Sequence, residues 1–240
     1  NSYPGFTNRI LSKNANRICV AYDGMEKFFP KSKILLTGNP VRSNLVNLIS
    51  SEKSKKHFDL NPKIKTLVVL GGSLGAKNIN EFISKNLELF KKSNVEIIWQ
   101  CGKLYYDNYK KHFSNKIKIF PFIKDMSKAY SSADYIISRA GASVISELCI
   151  VAKPVIFIPS PNLAEDHQTK NALNIVKNNA ALMVEEKDLD KLFFNVFNKM
   201  INDESFSIEL SKSIKSLAKP KATNEIVEQI KRRLKNGNKL

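Results

Sequence analysis

From position 64 onward, apolar runs of strand length alternate with amphipathic segments of helix length, and no other feature narrows the fold so far. The apolar runs fall at 66–70, 95–100, 117–120, 135–137, 154–158 and 181–184, with helical segments between them at 78–91, 104–112, 126–132, 143–151 and 167–178. Near-continuous Val, Ile and Leu in the runs suits strands buried on both faces, which is the situation in a parallel sheet with helical crossovers. The pattern predicts a Rossmann-like α/β unit with helices on both faces and ligands at the carboxyl ends of its strands. Helical stretches at 189–201, 205–217 and 224–234 follow without another clear strand and are expected to flank or cap the sheet. The first forty residues hold only two strand-like pieces, 17–22 and 33–37, too few for an independent open sheet. They read as the tail of another domain, and with Asn rather than Met at position 1 the chain is expected to start partway through a larger protein. The Lys/Ser-rich stretch at 50–56 reads as a solvated connection.

A formal charge of +17 raises nucleic acid or an anionic membrane surface as partners. The distribution of that charge argues against nucleic acid. Most cations are Lys scattered among Asn and Ile, and neither an Arg-rich arm nor an RNA-binding aromatic signature is present. Of six Arg, two stand inside glycine-bearing motifs, Arg42 and Arg139, where a planar guanidinium suits fork-like phosphate recognition. Cys19, Cys101 and Cys149 are far apart with no C-x-x-C pair, so reduced thiols are expected rather than disulfides or a zinc site. No apolar run reaches the roughly 18 residues of a membrane span and no leader opens the chain, which predicts a cytoplasmic location.

Four motifs carry the chemistry. SRAGASVISEL, 138–148, joins a strand end, a glycine turn and a helix start around Glu147. Unpaired N–H groups and the helix dipole at such a start form an anion site suited to a diphosphate. Glu147 lies about one turn further in, and its two acceptor oxygens match the two hydroxyls of a ribose; an N-capped helix with an exposed Glu has the same local pattern. LVVLGGSLGAKNIN, 67–80, runs a strand into Gly71, Gly72 and Gly75 with Ser73 as a hydroxyl donor, and it is neither GxGxxG nor a P-loop. Phe120, Pro121, Phe122 and Ile123 follow the next strand, with Asp125 placed to cap a helix; the local pattern by itself favours a buried core strand end, and the same loop can hold a base between apolar surface and backbone groups. PNLAEDHQTKNA, 161–172, gathers Glu165, Asp166, His167, Gln168 and Asn171 around a helix start, more hydrogen-bonding groups than a cap needs.

Taken in order with NSYPGFTN at 1–8 and GNPVR at 38–42, these motifs resemble the MurG family of UDP-N-acetylglucosamine (UDP-GlcNAc) dependent glycosyltransferases, which convert lipid I to lipid II in peptidoglycan synthesis. The resemblance implies a GT-B architecture of two Rossmann-like domains. Residues 1–40 would end the N-terminal acceptor domain, 41–218 would be the donor-binding domain, and 219–240 a helix returning toward the first. It implies that Arg42 and Ser73 contact the donor phosphates, that the Ile123 backbone reads uracil, and that Ala142, Ser143, Val144, Ile145, Ser146 and Glu147 line the nucleotide, with Glu147 on the ribose. Gln168 would bind the GlcNAc hydroxyls, with Gly72 and Asn171 as nearby candidates and Asn1 matching a family asparagine at the donor site. The implied enzyme uses no cofactor or metal, takes lipid I as acceptor, and works peripherally at the cytoplasmic face of the cell membrane.

The family's glycine-rich N-terminal loop, which carries its histidine, has no counterpart in the sequence. No catalytic base is therefore assigned to His57, His112 or His167, and the chain alone is expected to bind donor but to turn over poorly. Three other readings compete, one of them a nonfunctional remnant, since composition drift alone can produce many Lys and Asn. A UDP-GlcNAc epimerase of related fold would share the nucleotide pocket, but GNPVR and EDHQTKNA argue against it. A basic nucleic-acid-binding module would explain the charge and leave Glu147 and the glycine turns without a role.

Overall fold

The computed structural model of the chain describes residues 2–161 and 166–237. β1 (Ile18–Val20) and β2 (Ile34–Leu36) pair in parallel as a small sheet beside a core of Val20, Met25 and Phe29. The larger sheet contains β3 (Lys65–Leu70), β4 (Val95–Gln100), β5 (Ile117–Phe120), β6 (Tyr135–Ser138), β7 (Val155–Phe157) and β8 (Leu182–Met183). Its spatial order is β5-β4-β3-β6-β7-β8, with every neighbouring pair parallel. Counted within this sheet, the order is that of a doubly wound dinucleotide fold, which reverses between its first and fourth strands. The reversal lies at β3 and β6, and a crevice opens at their carboxyl ends.

Period-two alternation divides the strands between two cores. Val68, Leu70, Ile98, Ile136, Val155 and Phe157 face one side, whereas Leu67, Val69, Ile97, Trp99, Ile137 and Ile156 face the other. The first side is covered by α6 (Met126–Ser132), α7 (Ala142–Val151) and α8 (His167–Val176), with Ile214 of α10 (Glu204–Ser216). The second is covered by α3 (Lys77–Lys85), α4 (Leu87–Lys92) and α9 (Leu189–Asn202), whose Phe82, Phe90, Phe193 and Phe197 pack ring against ring. Burial on both faces explains why the strand sequences are nearly all apolar.

Several elements differ from the sequence expectation. The helix expected over 78–91 is two helices, α3 and α4, parted at Asn86, which leaves helical geometry and turns its amide back onto the Phe82 carbonyl. The one expected over 104–112 shrinks to α5 (Tyr106–Tyr109) between two 3-10 turns. A helix not foreseen, α1 (Phe6–Ser12), precedes β1. The stretch 50–56 is not a solvated connection. It forms α2 (Ser51–His57), capped by the Ser50 hydroxyl accepting from the Lys53 N–H. α2 is anchored by Lys55, whose buried ammonium donates to Asp134 Oδ2 and to the Ile64 carbonyl, both at 2.7 Å. The same Asp134 oxygen accepts the Thr66 N–H at 2.8 Å, so one carboxylate ties α2 and β3 to the start of β6.

The connection after β2 passes the start of α11 (Ala222–Gly237) at closest approach through Gly38. Its φ is +86°, and a Cβ there would lie 2.4 Å from Lys219 Cβ, so only glycine fits. α11 then shares a groove with Asn16, Arg17 and Cys19 near β1. Among the described residues no helix is long and apolar enough to cross a membrane.

Lys55→Ala should destabilise the fold by about 1.5–3 kcal/mol, because it removes a buried charged hydrogen bond to Asp134 and leaves that carboxylate the more exposed Lys65 ammonium at 3.5 Å and the Thr66 N–H. Lys56→Ala, which removes an exposed pair with Glu52, should cost less than about 0.5 kcal/mol. Urea unfolding midpoints of the two variants at unchanged slope check the contrast.

Candidate functional site

The crevice at the strand reversal is built from loops that only particular backbones permit. In the turn after β3, Gly75 has φ +81°, and a Cβ on it would fall 2.0 Å from the Cys101 carbonyl oxygen. The turn after β3 and the turn after β4 therefore pack backbone on backbone. Across the reversal, α7 begins at Ala142 with Gly141 as its N-cap. The first N–H groups of α7, on Ala142, Ser143 and Val144, lie at the positive end of the helix dipole without intrahelical partners.

Around that helix start is a cavity of about 160 Å³ whose wall includes Arg42, Gly72, Ser73, Ser143, Val144 and Glu147. Phe122, half exposed, adds an apolar rim. Glu147 is buried, in contrast with the exposed residue an ordinary capped helix would carry. Two donors hold its carboxylate. Arg42 Nη1 lies 3.0 Å from Oε1 and 3.2 Å from Oε2, and the Tyr130 hydroxyl donates to Oε2 at 3.1 Å. Burial, with the neighbouring Glu147 charge second, pushes the Tyr130 phenol well above its ordinary range, so it stays a donor. Arg42 is itself half exposed. It comes into reach because Asn39, in the same GNPVR segment, donates to the Ala142 carbonyl at 3.3 Å and to Ser146 Oγ at 3.0 Å.

The run 142–147 does not present one face. Ser143, Val144 and Glu147 meet the cavity at helical spacing, whereas Ile145 points into the core and Ser146 turns to Asn39. Ala142 and Ile145 thus offer a ligand chiefly their main chain. Ile123 is buried, and its N–H is already donated to Gln100 Oε1 at 2.8 Å. Gln168, in the first turn of α8, accepts from the N–H groups of Ala140 and Ser160 at 3.3 and 3.0 Å, which seats its side chain beside the turn before α7. Asn171 is buried with both ends of its amide in use, donating to the Ala140 carbonyl and accepting from the Ser2 N–H and hydroxyl, so in this structure it fastens the 2–4 segment to α8. Arg139 also lines the cavity, but its guanidinium pairs with Glu186 and donates to the Ile158 carbonyl at 3.0 Å. Asn1 and Glu165 lie outside the described residues.

His112 bonds Ser84 Oγ at 2.8 Å and His57 packs edge-on to Phe58, both apart from the cavity. Asp125 caps α6 through the Lys128 N–H, which presents Tyr130 toward Glu147. Tyr130, Gln100 and Asn39 were not foreseen as site residues. Asn39 sits in a motif that had been noted, but Tyr130 and Gln100 lie within ordinary helix and strand patterns that carry no local signal.

Residues 66–230 match the family described as the glycosyltransferase family 28 C-terminal domain. A UDP-N-acetylglucosamine–N-acetylmuramyl-(pentapeptide) pyrophosphoryl-undecaprenol N-acetylglucosamine transferase of Flavobacterium psychrophilum is 53% identical over 96% of the chain and 63% of its own length. The protein of the same description from Christiangramia forsetii is 47% identical over 98% of the chain and 65% of its length. The crystal structure of Acinetobacter baumannii MurG superposes with a TM-score of 0.74 at 28% identity, covering 97% of the chain and 65% of that protein. The chain thus spans a little less than two thirds of the relatives it matches.

Tyr130→Phe should lower stability by about 1.5–3 kcal/mol, since it removes a buried hydrogen bond to a charged group. Chemical denaturation of the variant beside the parent chain checks this, and an unchanged stability would mean that the hydroxyl does not hold Glu147.

Proposed function

Because the chain belongs to the glycosyltransferase family 28 C-terminal domains, within the MurG group, we propose that its six-stranded unit binds the UDP-GlcNAc donor of an inverting N-acetylglucosaminyltransferase. The observation that carries this reading is the juxtaposition of Arg42, the start of α7 and the buried Glu147 at the strand reversal. The diphosphate would lie against the N–H groups that open α7, with Arg42 and the Ser73 hydroxyl as further donors and the Gly72 turn alongside. Glu147 would accept from the ribose hydroxyls. The uracil would sit by Phe122 and meet the Ile123 main chain, where the carbonyl remains once Gln100 has taken the N–H. The Gln168 carboxamide would face the GlcNAc hydroxyls, with Asn171 supporting that wall and Asn1 a further donor-site candidate by the family resemblance.

The chemistry follows from these charges. As the anomeric carbon to oxygen bond breaks, negative charge accumulates on the departing UDP, and a fixed guanidinium and aligned N–H groups stabilise it more than the ground state. Inversion requires the acceptor hydroxyl to attack from the opposite face and lose its proton to a base, which we do not assign among the described residues. In the whole protein the acceptor would be the 4-hydroxyl of N-acetylmuramic acid in lipid I, the product lipid II, and the process peptidoglycan synthesis. Residues 1–40 would close the acceptor domain, 41–218 would form the donor domain, and 219–240 would return toward the first, which the groove between α11 and residues 16–19 supports. A lipid acceptor together with a UDP-sugar donor would put the whole protein at the cytoplasmic membrane surface, and the chain's +17 charge suits an anionic leaflet. The identities of 53% and 47% to proteins named as transferases favour this reading over an epimerase.

Calorimetric titration tests it. UDP-GlcNAc should bind saturably without added metal while ADP does not, and Glu147→Ala should weaken the donor by about 1.5–3 kcal/mol through lost charged hydrogen bonds. An unchanged dissociation constant in that variant would remove Glu147 from the site.

A further inference from the structure

Gln100 closes β4 at the carboxyl edge of the sheet and is buried. Its carboxamide is used at both ends. Nε2 donates to the Gly72 carbonyl at 2.9 Å, in the turn after β3, and Oε1 accepts the Ile123 N–H at 2.8 Å, in the loop after β5. Since β4 lies between β3 and β5, a side chain at its end can reach both loops. The orientation of the amide is settled by its partners, because a carbonyl can only accept and an N–H can only donate. A glutamate at this place would keep the acceptor and lose the donor, and a leucine would lose both.

We propose that Gln100 is a positioning and specificity residue of the donor site. It sets the spacing between the turn that meets the diphosphate and the loop that meets the base. By holding the Ile123 N–H, it also leaves that residue's carbonyl, an acceptor, for the base edge. Uracil offers an N3–H donor to such a group, whereas cytosine presents a bare N3 acceptor at that place and can satisfy the carbonyl only by shifting to bring up its 4-amino group, so it binds less well. The inference rests on the donor-binding reading above and adds a residue and a rule of selectivity to it.

The test is calorimetric titration of the 240-residue chain with UDP and with CDP, in the parent, Gln100→Glu and Gln100→Leu forms, with thermal melting to confirm that each is folded. The parent should prefer UDP. Gln100→Leu should weaken UDP by about tenfold, the order expected for loss of a bridging hydrogen bond, and should shrink the UDP-over-CDP preference. Gln100→Glu should also bind UDP more weakly, from the lost donor and the added charge near the diphosphate, yet keep the preference, because its carboxylate still accepts the Ile123 N–H. Equal losses for UDP and CDP in Gln100→Leu, or parent-like binding in both variants, would overturn the proposal. If the leucine form does not fold, loss of the preference in Gln100→Glu would overturn it, and retained preference with weaker UDP binding would support it. A parent chain that binds neither nucleotide would instead overturn the donor-binding reading, which is a distinguishable result.

Discussion

The reversal of strand order between β3 and β6 is the constraint on which the rest of the molecule depends. Parallel strands need helical crossovers, and a right-handed crossover leaving β3 toward one edge and β6 toward the other forces the two departing loops apart. The gap is bordered by the glycine turn after β3 and the start of α7 after β6. Side chains from separate elements converge there: Arg42 arrives from the segment after β2, Tyr130 from α6 and Gln100 from β4. The packing that secures this geometry is ordinary, two apolar cores on the faces of one sheet.

Polar groups at the gap are arranged so that each supports another. Asn39 holds the first turn of α7 to the segment carrying Arg42. Arg42 and Tyr130 together satisfy Glu147, a carboxylate whose burial would otherwise be costly. A diphosphate would compete for Arg42 and a ribose for Glu147, so the pair seen in this structure joins the two groups that a nucleotide would separate. Charged hydrogen bonds to a bound ligand must exceed the strength of that pair, which is moderated by the half exposure of Arg42.

Much of the large sheet was legible because its cause is local. Strands buried on both faces must be apolar along their length, so the runs near 66, 95, 117 and 135 stood out. Helix interruptions were less legible, since the break at Asn86 arises from one side chain bonding its own backbone within an otherwise continuous pattern. The reading of 50–56 as a solvated connection missed a helix that is exposed along much of its length but held by Lys55, which is buried against a partner, Asp134, far along the chain. The site divides in the same way. Motif residues could be named from their surroundings in sequence, but the occupation of Arg139 by Glu186, the fastening role of Asn171 and the bridge made by Gln100 depend on long-range contacts.

The most direct test of a nucleotide-sugar site at the strand reversal is a crystal structure of the chain with UDP-GlcNAc. The account predicts the diphosphate at the N-terminus of α7, the ribose on Glu147, and Arg42 parted from Glu147 onto a phosphate oxygen. A nucleotide bound elsewhere, or one bound beside an intact Arg42–Glu147 pair, would contradict it.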